Sequence, residues 1–369
     1  MSQIMISRKN GYKSRAKIKK QVIARKYAQT EQQLNALIKL EELDERIQAQ
    51  PWMVSEFEVV LEDAIAAAYQ SKADCILARH FLHRLLYRIN RLKLFWYDNL
   101  QHYTNERSIY LHLCREKIET AWQQWELAHI GVLSLQTLDV QEILLERANC
   151  DRNSCTSEQA YYLQQEMTDI EYRKLLAIAS FNSLQARNKF FRTLTNAVNE
   201  VESKLTQLLL EDYSSSYLST QHSTLFTQML GELQLDSTPE AYFNIVPYEV
   251  LAYANHNFLL SDCKRLFLRC IGGLIYSEMT KSTMYRHYLV AAQRLGLPAT
   301  TSYWELYLTE DESYKRRILE EVAFPLIEKY PASAWELLLG YEQQKYISKR
   351  ASAATLVSCR EVPTNVCHI

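Results

Sequence analysis

YWELYLTEDESYKRRI, residues 303–318, is the stretch from which the chain is best read. Taken as a helix, it puts Tyr307, Asp311, Tyr314 and Ile318 on one face. Two phenols and an aliphatic side chain mark that face as inward, yet a carboxylate stands in its middle. Thr309, Glu310, Glu312, Lys315 and Arg316 cover most of the rest. Burying a neutral polar group without a hydrogen bond costs about 2–7 kcal/mol, and an isolated ionised carboxylate costs more. Asp311 therefore needs a partner elsewhere in the chain or a proton, unless the helical reading misplaces it.

The chain has 369 residues, 47% of them hydrophobic, with only seven Gly and seven Pro. That length predicts two domains or one large one. Long runs of Leu, Ala, Glu, Gln, Lys and Arg with a 3.6-residue period predict an all-α fold. A net charge of −1 excludes an overall field that would recruit nucleic acid or a membrane surface. The eight Cys are scattered without zinc spacing, Cys150 and Cys155 being the nearest pair. No apolar run is long enough to span a bilayer, and the basic start lacks an apolar segment. These features predict a cytoplasmic protein with free thiols.

Residues 1–30 carry Arg8, Lys9, Lys13, Arg15, Lys17, Lys19, Lys20, Arg25 and Lys26, with no acid before Glu31. This reads as a flexible, solvated basic arm. Helices over 31–48, 54–70, 73–101, 105–128 and 136–148 then make a helical N-terminal region, 31–150. His80 and His83 lie three apart there, but Arg79 and Arg84 beside them point to a solvent-facing strip rather than a metal site. NCDRNSCTSEQ, 149–159, is the clearest break. Beyond it, 151–350 reads as a second helical body, with helices over 158–184 and 187–211, another over KRLFLRCIGGLIYSEMTKS, and a further one stopping at RLGLP. Gly272–Gly273 in mid-helix cost about 1 kcal/mol each and call for close approach of another backbone. Residues 351–369 read as a loosely ordered tail.

Two further polar residues stand on apolar stripes. His222 shares a face with Leu218, Leu225, Phe226 and Met229, and Glu278 with Phe267, Ile271 and Leu274. With Asp311, that puts one imidazole and two carboxylates on three inward faces. Facing helices of a bundle can bring such groups together around a metal, and this donor set suits Fe(II) or Mn(II) with a position left for O2. The same groups with the tyrosine hydroxyls can equally form a buried hydrogen-bond network without metal. Spacing leaves both open.

The order LLLEDYSSSYLSTQHSTLF, PEAYFNIVPYEVLAYANHNFLL, FLRCIGGLIYSEM, AAQRLGLP, YWELYLTEDESYKRR and YPASAWELLLGYEQQK resembles a bacterial, notably cyanobacterial, family of iron-containing redox enzymes within the haem-oxygenase-like di-iron oxidases. The resemblance covers about 160–350 and implies a haem-oxygenase-like bundle that holds non-haem iron. It implies metal ligands at Asp212 (with Glu211 as the alternative), His222, Glu278 and Asp311. Two positions where the family has His ligands fall here on Tyr307 and Tyr314, which on this reading ligate or supply an electron. The glycine-rich turn after the acidic pair is replaced by Ser214, Ser215 and Ser216. Neutral imidazole is a good ferrous ligand at pH 7, whereas phenol has a pKa near 10 and binds well as phenolate, which favours ferric iron. The expectation is an oxidase or oxygenase acting with O2 on a small, amphiphilic organic substrate through an altered site that holds one iron, two or none. The alternative is a metal-free binding or scaffolding module. Nucleic acid is not an expected partner, and a homodimer is left open.

Overall fold

The computed structural model describes residues 2–71, 75–94, 100–152, 157–183, 200–213, 222–238, 240–308 and 312–361; for 2–17, 157, 182–183, 202, 209–213, 222–223, 299, 306–307 and 312–313 the description stops at the backbone. Among these residues every regular element is a helix, as composition and period predict. The chain forms two compact units, Met1–Trp125 and Glu126–Ile369.

The first unit contains α1 (Ser2–Ile38), α2 (Leu43–Ala49), α3 (Trp52–Ile65), α4 (Ile76–Asn90) and most of α5 (Ile109–Leu127). The segment read as an arm is helical from Ser2 and continues into the helix expected from residue 31. Its anchor is the first acid of the chain. Glu31 is buried and takes Arg84 at 2.6 and 2.9 Å and Arg88 at 3.4 Å. Tyr27 stacks on Phe81 with ring centroids 4.4 Å apart, and Leu34, Phe57, Leu61, Leu82, Leu85 and Leu86 close the core.

The strip expected to face solvent around His83 is instead interior. His83 is 1% exposed, shares a hydrogen bond with the Tyr69 hydroxyl at 3.2 Å and meets Trp122 edge-on. Arg79 is buried because its guanidinium donates to the Ala68 carbonyl and covers the Trp125 ring at 4.3 Å. Charge alone misplaces this face, since a guanidinium can stack on an aromatic ring while keeping a hydrogen bond.

Asp44 starts α5 from a distance. Its carboxylate accepts from the Ser108 hydroxyl (2.7 Å) and from the Ile109 (2.7 Å) and Tyr110 (3.0 Å) amides. Burial alone would raise its pKa, but the Tyr110 amide, the Ser108 hydroxyl and the Ile109 amide together hold it below the ordinary value. A lowered carboxyl pKa contributes stability above the unfolded value and loses it as pH falls through the folded one. Asp44→Ala is expected to cost about 1 kcal/mol at neutral pH, the usual worth of a helix cap. In urea titrations the gap between parent and variant should be full above pH about 4 and close on further acidification; a gap unchanged at low pH would show that the cap acts without its charge.

The second unit contains α6 (Val132–Leu135), α7 (Val140–Asp151), α8 (Ser157–Tyr161), α9 (Asp169–Ser183), α10 (Glu200–Tyr213), α11 (His222–Glu232), α12 (Tyr248–Asp262), α13 (Phe267–Leu295), α14 (Pro298–Leu308), α15 (Glu312–Arg317), α16 (Phe324–Lys329) and α17 (Trp335–Arg360). Residues 126–150, assigned from sequence to the N-terminal region, lie with this unit, because Leu135, Leu144 and Ala148 are buried in the core that α13 and α17 build. The helix expected over 158–184 is interrupted by a π turn at Tyr162–Glu166, and α9 starts afresh. Thr168 and Glu171 cap that start reciprocally: the Thr168 amide and hydroxyl donate to Glu171 Oε2 at 2.7 and 2.9 Å. This is a T-x-x-E capping box, a signal legible in the sequence.

Helices α13 and α17 are the spine. A Cβ on Gly272 would lie 2.0 Å from the Leu337 carbonyl oxygen, and one on Gly340 2.1 Å from that of Arg269. The close approach expected at Gly272–Gly273 is real, and Gly340 is its counterpart. α13 is one 29-residue helix where two were expected, closed by Gly296 in the left-handed region at φ 69°. Residues 351–360, read as the start of a loose tail, are the last turns of α17, with Leu356 and Cys359 buried; 362–369 lie outside the described residues. Burial pushes the Cys359 thiol up to about 12 and the Cys114 thiol up to about 11, so both remain unreactive thiols.

Candidate metal centre

The site is built on the inward face of α13. Ile271, Leu274 and Glu278 are buried on one stripe, as their spacing predicts, and Glu278 is 7% exposed. Because α13 does not stop at Ser282, the stripe runs on through Lys281, Tyr285 and Tyr288, three and four residues apart.

Glu278 has a cationic neighbour from its own helix. The Lys281 ammonium lies 2.5 Å from Glu278 Oε2, and both side chains are largely buried. The contact is an ion pair out of hydrogen-bond alignment, so Oε2 has charge compensation without an aligned donor. The same ammonium stands 5.4 Å from the centroid of the Tyr314 ring, within the reach of a cation–π interaction. Tyr314, the inward phenol of the opening stretch, packs partly buried against the core of α13 and α17, and its neighbour Lys315 is buried as well. The described part of the site is therefore a carboxylate, an ammonium and an aromatic ring in sequence.

The remaining expected ligands are placed by their helices. Asp212 is in the last turn of α10, His222 is the first residue of α11 and Tyr307 is in the last turn of α14; their side chains are not described. Asp311 lies outside the described residues, between α14 and α15. α11 packs on α14, α10 packs on the π turn Ile318–Ala323 that follows α15, and α13 contacts both α14 and α15. The elements bearing His222, Glu278, Tyr307 and Tyr314 are thus joined by direct packing, and α10, which bears Asp212, reaches them through the π turn. Among the described residues no three His, Cys, Asp or Glu side chains converge, Glu278 being the one expected ligand with a described side chain.

Whether the donor set fits a metal turns on Glu278. Its Oε2 is a buried carboxylate oxygen without an aligned donor, the state expected of an atom whose partner is a cation. Three carboxylates and one imidazole are hard to borderline donors that match Fe(II) or Mn(II). By the chemistry of its donors the expected set would suit one divalent ion, and at Glu278 the Lys281 ammonium stands at the oxygen such an ion would use.

An aromatic cluster continues the face of α13. The Trp304 indole N–H donates to the Tyr172 hydroxyl (2.8 Å), which donates to the Tyr288 carbonyl (3.0 Å). Tyr303, Tyr285 and Tyr288 lie with ring centroids 4.7, 5.0 and 5.2 Å from that of Trp304. Burial pushes the Tyr172 phenol well above its usual range, against the hydrogen bond from Trp304, so it is a phenol at neutral pH.

A second buried polar group was not singled out from sequence. Asp151 of α7 accepts from the Tyr341 hydroxyl at 3.1 Å and pairs with Lys345 at 2.7 Å, while Tyr276 stands edge-on to Tyr341 at 5.3 Å. Burial, then the Asp151 charge, raise the Tyr341 and Tyr276 phenols. Tyr341 and Lys345 stand i, i+4 in GYEQQK, a legible signal; their partner on α7 required the fold. Glu126 and Gln343, both fully buried, are joined at 2.9 Å.

Residues 175–344 match the model of a family described as iron-containing redox enzymes. A 150-residue stretch is 24% identical to a nitrosourea synthase of Streptomyces achromogenes subsp. streptozoticus, covering 40% of this chain and 31% of that protein. The chain thus matches about a third of the length of this curated relative. The expected all-α, haem-oxygenase-like fold is borne out, and among the described residues no helix is long and apolar enough to cross a membrane.

Proposed function

On the premise that residues 175–344 are a domain of the iron-containing redox enzyme family, we propose that they hold one non-haem iron ion in an altered site and act with O2 on a small organic substrate. The observation that supports this reading is Glu278, a carboxylate buried on the inward face of α13 at a position where the resemblance implies a ligand, with no hydrogen-bond donor to its Oε2. Asp212, His222, Glu278 and Asp311 would hold the ion. Bound ferrous iron supplies activation of O2. Tyr307 and Tyr314 replace two imidazoles, which leaves donors for one ion rather than two. As phenols they are weak ligands for ferrous iron; as phenolates they favour ferric iron. Trp304 and its tyrosines wall one end of the α13 face and exclude water from it.

Anaerobic loading with Fe(II) followed by metal analysis tests the reading. The expected result is about one iron per chain, lost in His222→Ala and in Glu278→Ala, with a melting temperature that rises on loading because the ion binds the native state. Iron at background with an unchanged melting temperature would leave the second reading, a metal-free binding module. The Lys281–Glu278 pair favours that reading, since it already neutralises the buried carboxylate.

A further inference from the structure

We infer that Lys281 is the resident cation of this site: its ammonium occupies the place at Glu278 Oε2 that a divalent ion would take, and iron binds only by displacing it. The inference rests on the metal-centre reading above and adds its regulation. The geometry is specific. Lys281 lies one turn beyond Glu278 on α13, which brings its Nζ to 2.5 Å from Oε2, and both side chains are withdrawn from water. A solvent-exposed i, i+3 pair would be one surface contact among many. Here Glu278 is buried on a helix whose Leu274, Ile275 and Met279 are core residues, and leaving a buried carboxylate unpaired is strongly destabilising. The Tyr314 ring centroid stands 5.4 Å from the ammonium, at a position where the resemblance implies a histidine ligand. An imidazole there would compete with the ammonium for the same space as a ligand to metal; a phenol ring accommodates the ammonium instead.

The pair and the metal are thus alternative ways to neutralise one buried carboxylate. With Lys281 in place, binding an ion requires the ammonium to leave Glu278 and find other partners, so affinity is lowered without any ligand being lost. The site then loads only where iron is abundant, and the unloaded protein keeps its fold. Removing the lysine charge converts an ion-pair site into a metal site.

The test compares the full-length parent with Lys281→Met, Lys281→Gln and Lys281→Arg under anaerobic Fe(II) titration, with Mn(II) as a second probe. Lys281→Met and Lys281→Gln are expected to bind at least about tenfold more tightly than the parent, the usual scale for changes beside a metal ligand. Without metal both should melt below the parent, and saturating Fe(II) should raise their melting temperatures by about 5–10 °C. Lys281→Arg keeps the charge and should stay near parent affinity. Lys281→Gln retains a hydrogen-bond donor for Glu278, so it reports on charge even where Lys281→Met does not fold without metal. Equal affinity in parent, Lys281→Met and Lys281→Gln would overturn the inference while leaving the iron reading intact. No binding by the parent or by any variant would overturn both the inference and the iron reading.

Discussion

Gly340→Ala is expected to lose the native packing of the second unit, costing about 4 kcal/mol or more, in the exceptional range for a single substitution. The added methyl would stand 2.1 Å from the Arg269 carbonyl oxygen and 2.6 Å from its carbonyl carbon and Cα. These are backbone atoms of α13, so no side chain can turn aside. Relief requires α13 and α17 to separate, which opens the core that holds Leu274, Ile275, Leu337, Leu338 and Tyr341. It also pulls apart the Arg269–Glu336 pair across the same crossing. Gly272→Ala meets the Leu337 carbonyl oxygen at 2.0 Å and should behave alike. At Gly231, in α11, an added methyl would have nothing within 4 Å. Gly231→Ala should therefore be neutral or stabilising by up to about 1 kcal/mol. Urea denaturation followed by circular dichroism separates the three. Gly340→Ala within about 1 kcal/mol of the parent would mean that the helices are not held at this distance.

Asp151→Ala is the second large effect, at about 3–5 kcal/mol, the range for breaking a buried pair by removing one partner. The loss leaves the buried Tyr341 hydroxyl without its acceptor and Lys345 without its counter-ion. Asp151→Asn keeps an acceptor for Tyr341 and should recover more than half of the loss, because Lys345 is partly exposed and can turn to water. Tyr341→Phe removes only a hydroxyl, at about 1 kcal/mol. Equal destabilisation by Ala and Asn would assign the effect to the charge alone. Parent-like stability of both would show that α7 is not tied to α17 through this group.

Much of the fold is legible in the residues. Few Gly and Pro with a 3.6-residue period determine an all-α chain, and the stripe Ile271, Leu274, Glu278 correctly places a carboxylate on a buried face, because helical spacing is a local property. Gly272 signals close backbone contact for the same reason: a glycine in mid-helix is costly unless something needs its space. The capping box Thr168–Glu171 is equally legible, and it breaks a helix that hydrophobic period alone joins.

The partners are not legible in this way, because they depend on what the other elements present. Asp311 is expected from sequence to find its partner across the bundle, and it lies outside the described residues; Glu278, expected as a ligand, meets a lysine three residues along its own helix. His83 and Arg79 read as exposed because charge predicts solvent, whereas Tyr69, Ala68 and Trp125 supply the contacts that let them be buried. Residues 351–360 read as a tail because Ala and Ser carry little hydrophobic period, and only the core that receives Leu356 and Cys359 makes them helix. By itself the sequence determined the helices, the apolar faces and the polar residues that stand on them. Only the tertiary structure decided which charge faces which, because local periodicity sets where a side chain points and packing sets what it meets.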